Sequence, residues 1–320
     1  MSASFWRRSL AVVLLMSAIL AENGWAIPAF ARRYRISCSV CHAPFPRLKE
    51  YGTEFAGNGF ILKEAEKSRD YVTSGDDLLW LNRDFPVAVR FDAFAVAESD
   101  NPVSRDLQVP WGLKLLSGGT VYHNIGYYFY FYLSERGEIA GIEDAYIHFD
   151  DIFGMPLDVM VGQFQTSDPL LKRELRLTFE DYMIYKSHPS GSITDLTYDR
   201  GVMMVYSIGK TGTDVVAMMV NGNGKVEAGD DRKFDVDSHK NYGVRISQSL
   251  GGFFRIGGFY YRGSESQNGR DNTITYIGPD LSLSAGSLDL EMQYLERRDT
   301  DPLFTGATEA DTKGMVAELT

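Results

Sequence analysis

From residue 87 onward the chain alternates in polarity, in runs of about ten residues broken by Gly, Asp, Asn and Ser. A period of two places successive side chains on opposite faces of an extended strand, and no helix can satisfy it. Leu288, Leu290, Met292 and Tyr294 thus share one face, while Asp289, Glu291 and Gln293 share the other. Tyr242, Val244 and Ile246 likewise oppose Arg245 and Ser247. The pattern predicts about twelve strands of membrane-crossing length, near 87–98, 108–117, 119–134, 138–149, 157–164, 201–209, 214–221, 241–249, 253–262, 272–283, 287–297 and 313–320. Tyr127 to Tyr132 is aromatic on both faces, as suits an interfacial girdle or a tyrosine-lined lumen.

The connections carry a second signal. With the first strand rising from the periplasm, 99–107, 135–137, 165–200, 222–240, 263–271 and 298–312 fall outside the cell. Gly118 alone, 150–156, 210–213, 250–252 and 284–286 then form the periplasmic turns. All but one of the outer loops exceed every turn, which is the outer-membrane pattern. The fold expected for 86–320 is a mainly β, antiparallel transmembrane β-barrel of at least twelve strands, with a soluble β-sandwich as the alternative. The last strand lacks a terminal aromatic residue, so an incomplete barrel is expected.

The N-terminus reads as an export signal, residues 1–26. Arg7 and Arg8 precede an apolar run from Leu10 to Ala21, and Gly24 and Ala26 supply small residues for cleavage. The run is too short to span a membrane. Export bears on the only two cysteines, which stand in Cys38-Ser39-Val40-Cys41-His42. A structural disulfide across two residues is strained. A redox pair needs a thioredoxin-like βαβ context, and zinc needs further Cys or His nearby, yet none follows before His123. Cys-x-x-Cys-His is the attachment signature of haem c: two thioethers to the porphyrin and the adjacent imidazole on the iron. Cys38, Cys41 and His42 are therefore the candidate cofactor-binding residues, for one covalent haem c. Segment 27–85 is small enough that the haem itself would organise it. Pro46 is expected to open a helix carrying Leu48, Tyr51 and Phe55, ended by Gly57 and Gly59.

Residues 27–62 contain Pro28, Phe30-Ala31-Arg32, the haem motif, Phe45-Pro46, Leu48, Tyr51-Gly52, Phe55 and Asn58-Gly59-Phe60. This string resembles the fused monohaem cytochrome–porins of the bacterial outer membrane, some of them iron oxidases and others implicated in extracellular electron transfer. Beyond residue 62 the likeness is architectural. The resemblance implies haem on Cys38 and Cys41 with His42 as axial ligand, and it makes Phe45, Leu48 and Phe55 candidate haem-packing residues. It implies single-electron transfer between an extracellular donor or acceptor, Fe²⁺ among them, and a periplasmic electron carrier, with outer membrane lipid around the barrel. The alternative is a diffusion porin or binding protein whose haem stabilises a plug.

The second axial ligand is open. No Met lies between Met16 and Met155 and no His between His42 and His123, so segment 27–85 supplies neither usual partner. Lys49, Asn58, an open site or an inward barrel residue remain. His123 shares its face with apolar Ile125 and Phe129, whereas the alternation points His148 into the lumen beside Tyr146 and Asp150, making it the barrel candidate. With 32 basic against 43 acidic residues and a net charge of −11, the chain is no partner for nucleic acid. Asp230, Asp231, Asp235 and Asp237 form an acidic outer loop able to attract cations, or simply a solvated surface. Loop 165–200 is expected to constrict the lumen or to form a surface hairpin.

Overall fold

A computed structural model describes residues 29–34, 36–43, 46–62, 72–73, 80–81, 86–97 and 105–320, the last range without 123, 172–174, 177–180, 236 and 307. The export signal, Phe45 and His123 lie outside the described residues.

The alternating stretches form one sheet of 12 strands, each paired antiparallel with its neighbour in sequence. They are β1 (Val87–Ala97), β2 (Arg105–Tyr122), β3 (Ile125–Glu135), β4 (Gly141–Phe149), β5 (Leu157–Gln165) and β6 (Tyr198–Ile208). There follow β7 (Thr213–Val220), β8 (Asn241–Leu250), β9 (Phe254–Gln267), β10 (Arg270–Ala285), β11 (Leu288–Asp299) and β12 (Ala310–Leu319). A single up-and-down meander removes the sandwich, which needs two sheets. The fold is barrel-like but not closed: β1 and β12 are the two edges of the sheet and do not pair with each other.

Polarity runs inside out. On β8, Ile246 is 55% exposed while its neighbour Arg245 is 6% exposed, and Tyr242 and Val244 join the outer face. Phe91, Val161, Ile277, Tyr294 and Met315 continue that outer apolar surface across the sheet. The inner face holds Asn241, Gln293, Arg297 and Asp299, all buried. A water-soluble sheet would bury the apolar face, whereas a strand between lipid and lumen turns it outward.

The inner face is filled. Segment 166–197, with the short helix α4 (Met183–Lys186) in its middle, brings Leu171, Tyr182, Tyr185 and Leu196 into one cluster with Phe164, Phe259, Tyr261, Ile274, Tyr276 and Leu295 of the strands. The wall answers several of its polar groups. Glu265 Oε1 accepts from Ser192 Oγ at 3.0 Å and from the Thr194 amide at 2.5 Å. Arg297, 2% exposed by side chain, donates to the Thr194 carbonyl and Ser192 Oγ and forms an ion pair with Asp299. A buried arginine is tolerable only when paired and bonded in this way. The segment therefore constricts the interior and is not a surface hairpin.

The sequence misplaced three features. Gly118 is not a turn; β2 runs through it to Tyr122, which pairs with Ile125 at the start of β3. The glycine is there because any Cβ would meet Phe30 and Phe60 at 3.1 and 3.3 Å. The expected loop 263–271 is mostly strand, and β9 and β10 meet at a two-residue turn in which Asn268 and Gly269 have φ of 53° and 75°. That is the backbone a tight hairpin requires. Pro46 does not open a helix: α3 is Glu50–Gly57, and Pro46 sits in the turn before it.

Candidate functional site

Among its described residues the haem-motif segment has three short helices: α1 (Ala29–Tyr34), α2 (Cys38–Cys41) and, after the turn, α3. Ser37 caps α2, its hydroxyl accepting from the Ser39 amide at 3.3 Å. One helical turn separates Cys38 and Cys41, so both thiols fall on one side; both are free, Cys38 exposed and Cys41 half-buried. Burial, and then the neighbouring Cys38, raise the Cys41 thiol above its ordinary pKa.

His42 follows directly. Its Nδ1 faces two main-chain acceptors, the carbonyls of Pro46 at 3.0 Å and Arg47 at 3.2 Å. Carbonyls only accept, so Nδ1 carries the proton and Nε2 the lone pair. That is the tautomer an imidazole needs to ligate iron through Nε2, with the carbonyls orienting the ring as an outer shell. Residues 46–49 fold back to make this contact: His42 pairs with Leu48 as an isolated bridge, and the Lys49 amide donates to the Cys41 carbonyl at 2.8 Å. Gly52 lets α3 close onto α2, since a Cβ there would sit 2.5 Å from the Cys41 carbonyl oxygen. Two thiols on one side of a helical turn, followed by an oriented imidazole, fit haem c.

The segment lies against the inner wall at two places, both near the rim that carries Asn124 and turns 150–156 and 286–287. At the first, Phe60 stacks between Phe30 (centroids 5.0 Å apart, 3° between planes) and Tyr128 of β3 (4.9 Å, 20°). Phe55 meets Phe30 edge-on at 5.2 Å. Gly59 rests on the His148 ring, where a Cβ would come within 3.1 Å, and the Gly59 carbonyl oxygen faces Gly126 of β3. At the second place, Arg47 forms ion pairs with Glu291 of β11 and with Glu318 of β12, the latter at 3.2 Å. Glu318 also accepts from Tyr182 Oη at 2.7 Å, so segment 166–197 and the haem-motif segment meet on one carboxylate. Contacts to β2–β4 and to β11–β12 from one small segment mean that the sheet curls round it.

The predicted residues therefore divide. Cys38, Cys41 and His42 are together. His148 is inward and 5% exposed, as its alternation requires, but it lies under Gly59, past the C-terminal end of α3, and gathers with Asp150 and Asp158. Lys49 Nζ donates to the Ser39 carbonyl at 2.6 Å. The acidic loop is largely self-bonded: Asp235 pairs with Lys240, Asp231 with Lys233 at 3.5 Å, and Asp237 accepts the amides of His239 and Ser266. It is a structured surface loop. Sequence reasoning missed Arg47, whose acid partners lie more than two hundred residues away.

No family model and no curated protein matches the sequence. Among solved structures, the chain is similar to a loop-deletion variant of OmpT, an outer membrane protein of Vibrio cholerae. That likeness is at 12% identity, covering 73% of this chain and 87% of that one, with a TM-score of 0.37.

Proposed function

We propose that the chain is an outer-membrane c-type cytochrome passing single electrons between an extracellular donor or acceptor, Fe²⁺ among the candidates, and a periplasmic carrier. The observation that carries this reading is His42, held as the Nε2 lone-pair tautomer by the Pro46 and Arg47 carbonyls directly beside two same-side thiols. When bound, haem c supplies a one-electron couple at iron. This chain's residues do the rest. Cys38 and Cys41 tether the group, His42 ligates it, Gly52 keeps α3 close, and Arg47 fixes the motif to the wall. The apolar outer face suits lipid. The packed interior argues against a simple diffusion porin.

The test is holoprotein reconstituted in liposomes with Fe²⁺ outside and an electron acceptor inside. Reduction of the acceptor is expected, along with haem staining after denaturing electrophoresis that Cys41→Ala largely removes. Equal staining in the variant overturns the haem c assignment. Full staining without acceptor reduction leaves a haem that only plugs the barrel.

A further inference from the structure

The turn between β4 and β5 carries a donor set that the electron-transfer reading does not use. His148 and Asp150 are alternate residues at the end of β4, so both face inward, 5% and 2% exposed. The β4–β5 register ends at Phe149 with Val159, and its next position sets Asp158 across from Asp150. One ligand atom from each of His148, Asp150 and Asp158 lies within 4.8 Å of the others. Asp158 Oδ1 accepts the Asp151 amide at 2.9 Å, while its Oδ2 lies 4.0 Å from His148 Nε2. That gap is too long for a direct hydrogen bond. In a tetrahedral site with bonds near 2.1 Å, ligand atoms stand roughly 3.4 Å apart, so a closure of about half an ångström brings this pair onto one ion.

The other flank of the sheet shows how this wall handles such a pair. Glu291 and Glu318 are register partners across β11 and β12, and like charges so opposed repel; a cation, Arg47, lies on both. We propose that His148, Asp150 and Asp158 bind one first-row divalent cation, beneath Gly59. One imidazole with two carboxylates suits Mn²⁺, Fe²⁺, Co²⁺ or Zn²⁺; Ca²⁺ and Mg²⁺ favour all-oxygen sites and Cu⁺ favours sulfur. Three protein donors leave positions for water. The ion fixes the ring on which Gly59 rests, and so the seat of the haem-motif segment, whether or not that segment carries haem.

The test is the full-length purified protein, stripped with a chelator and titrated with Mn²⁺ alone, with free Mn²⁺ read by electron paramagnetic resonance. Mn²⁺ avoids thiolates, so Cys38 and Cys41 do not compete. One Mn²⁺ per chain is expected, displaced by Zn²⁺, with affinity at least tenfold weaker in His148→Gln and in Asp158→Asn and unchanged in Asp230→Asn. Asp158 is partly exposed, so its isosteric amide keeps the test open should His148→Gln fail to fold. Absence of stoichiometric binding by folded wild type, or equal affinity in Asp158→Asn, overturns the site.

Discussion

The haem-motif segment is held at two seats that use different physics. Against β2–β4 it is close-packed, with aromatic rings and glycines at contact distance. Against β11–β12 it is held by one guanidinium between two carboxylates. A packed seat fixes position sharply, because an atom out of place meets a wall. A charged seat tolerates small displacements and responds to ionic strength. The first seat therefore sets where the segment lies, and the second ties residues 46–49, beside the motif, to the far side of the sheet. Removing either seat should be visible as local opening of α3, read by hydrogen exchange at the Asn58 and Phe60 amides, which are bonded within the segment at 2.9 Å.

The largest effect is expected from Phe60→Ala. The ring is stacked on both faces and meets Phe55 edge-on at 5.7 Å, so truncation of this half-buried ring removes three aromatic contacts and costs about 3 kcal/mol of local stability. Exchange at Phe60 and Asn58 should accelerate by about two orders of magnitude while the strand amides of β8–β10 stay protected. Acceleration everywhere would mean that segment and sheet open as one unit.

Gly126→Val comes next. Its Cβ would lie 2.3 Å from the Gly59 carbonyl oxygen, and Gly59 is itself stopped by the His148 ring. Neither backbone can retreat freely, so overpacking costs about 2 kcal/mol. Gly57→Val, where a Cβ meets nothing within 4 Å, is the control and should cost nothing measurable, since valine is the better helix former of the two.

The two seats also differ in how far the sequence discloses them. The strands were legible because alternation is local: the 288–296 and 241–249 stretches show in the fold the faces their spacing assigns. The motif Cys38, Cys41 and His42 was legible for the same reason, being contiguous. Gly118 was misread because Leu-Ser-Gly-Gly-Thr looks like a turn, when its glycine makes room for Phe30 and Phe60 brought from another part of the chain. Residues 263–267 looked like loop because Gly, Ser and Glu are polar, but on an inward face polar residues are what a strand of this kind carries. Arg47 with Glu291 and Glu318, and Arg297 with Ser192 and Thr194, have no local signature at all. They are made by the closing of the sheet around its contents.

Arg47→Ala should have a smaller effect than either packed-seat variant, about 1–2 kcal/mol, since its partners are only partly shielded from solvent, at 28% and 12% side-chain exposure. Its diagnostic is the sign of the salt dependence. In the wild type, salt screens the attraction of Arg47 for the carboxylates, so the seat weakens as ionic strength rises. In Arg47→Ala, Glu291 and Glu318 remain opposed across strands, salt screens their repulsion, and the same region firms. Opposite slopes are expected; parallel slopes would show that Arg47 acts through packing alone.

The smallest expected quantity is the coupling between the seats. Among the described residues Phe60 and Arg47 share no partner: one touches Phe30, Phe55 and Tyr128, the other Glu291 and Glu318. Substitutions without shared partners add to within about 0.5 kcal/mol. The connection between them is α3 and the turn before it, which is also where the Pro46 and Arg47 carbonyls hold His42. If that turn is rigid, loss of the packed seat shifts Arg47 relative to its carboxylates, and the double variant Phe60→Ala/Arg47→Ala costs less than the sum of the singles. If it flexes, the costs add. Additivity is expected, because the turn is held by scattered bonds, from Lys49 to Cys41 and Ser39, from Ala43 to Arg47 and from the His42 ring to the Pro46 and Arg47 carbonyls, without a helix spanning the two seats. A coupling above about 1 kcal/mol, measured from the four-variant exchange cycle, would instead make the whole segment a single rigid plug, with the imidazole moving whenever either seat moves.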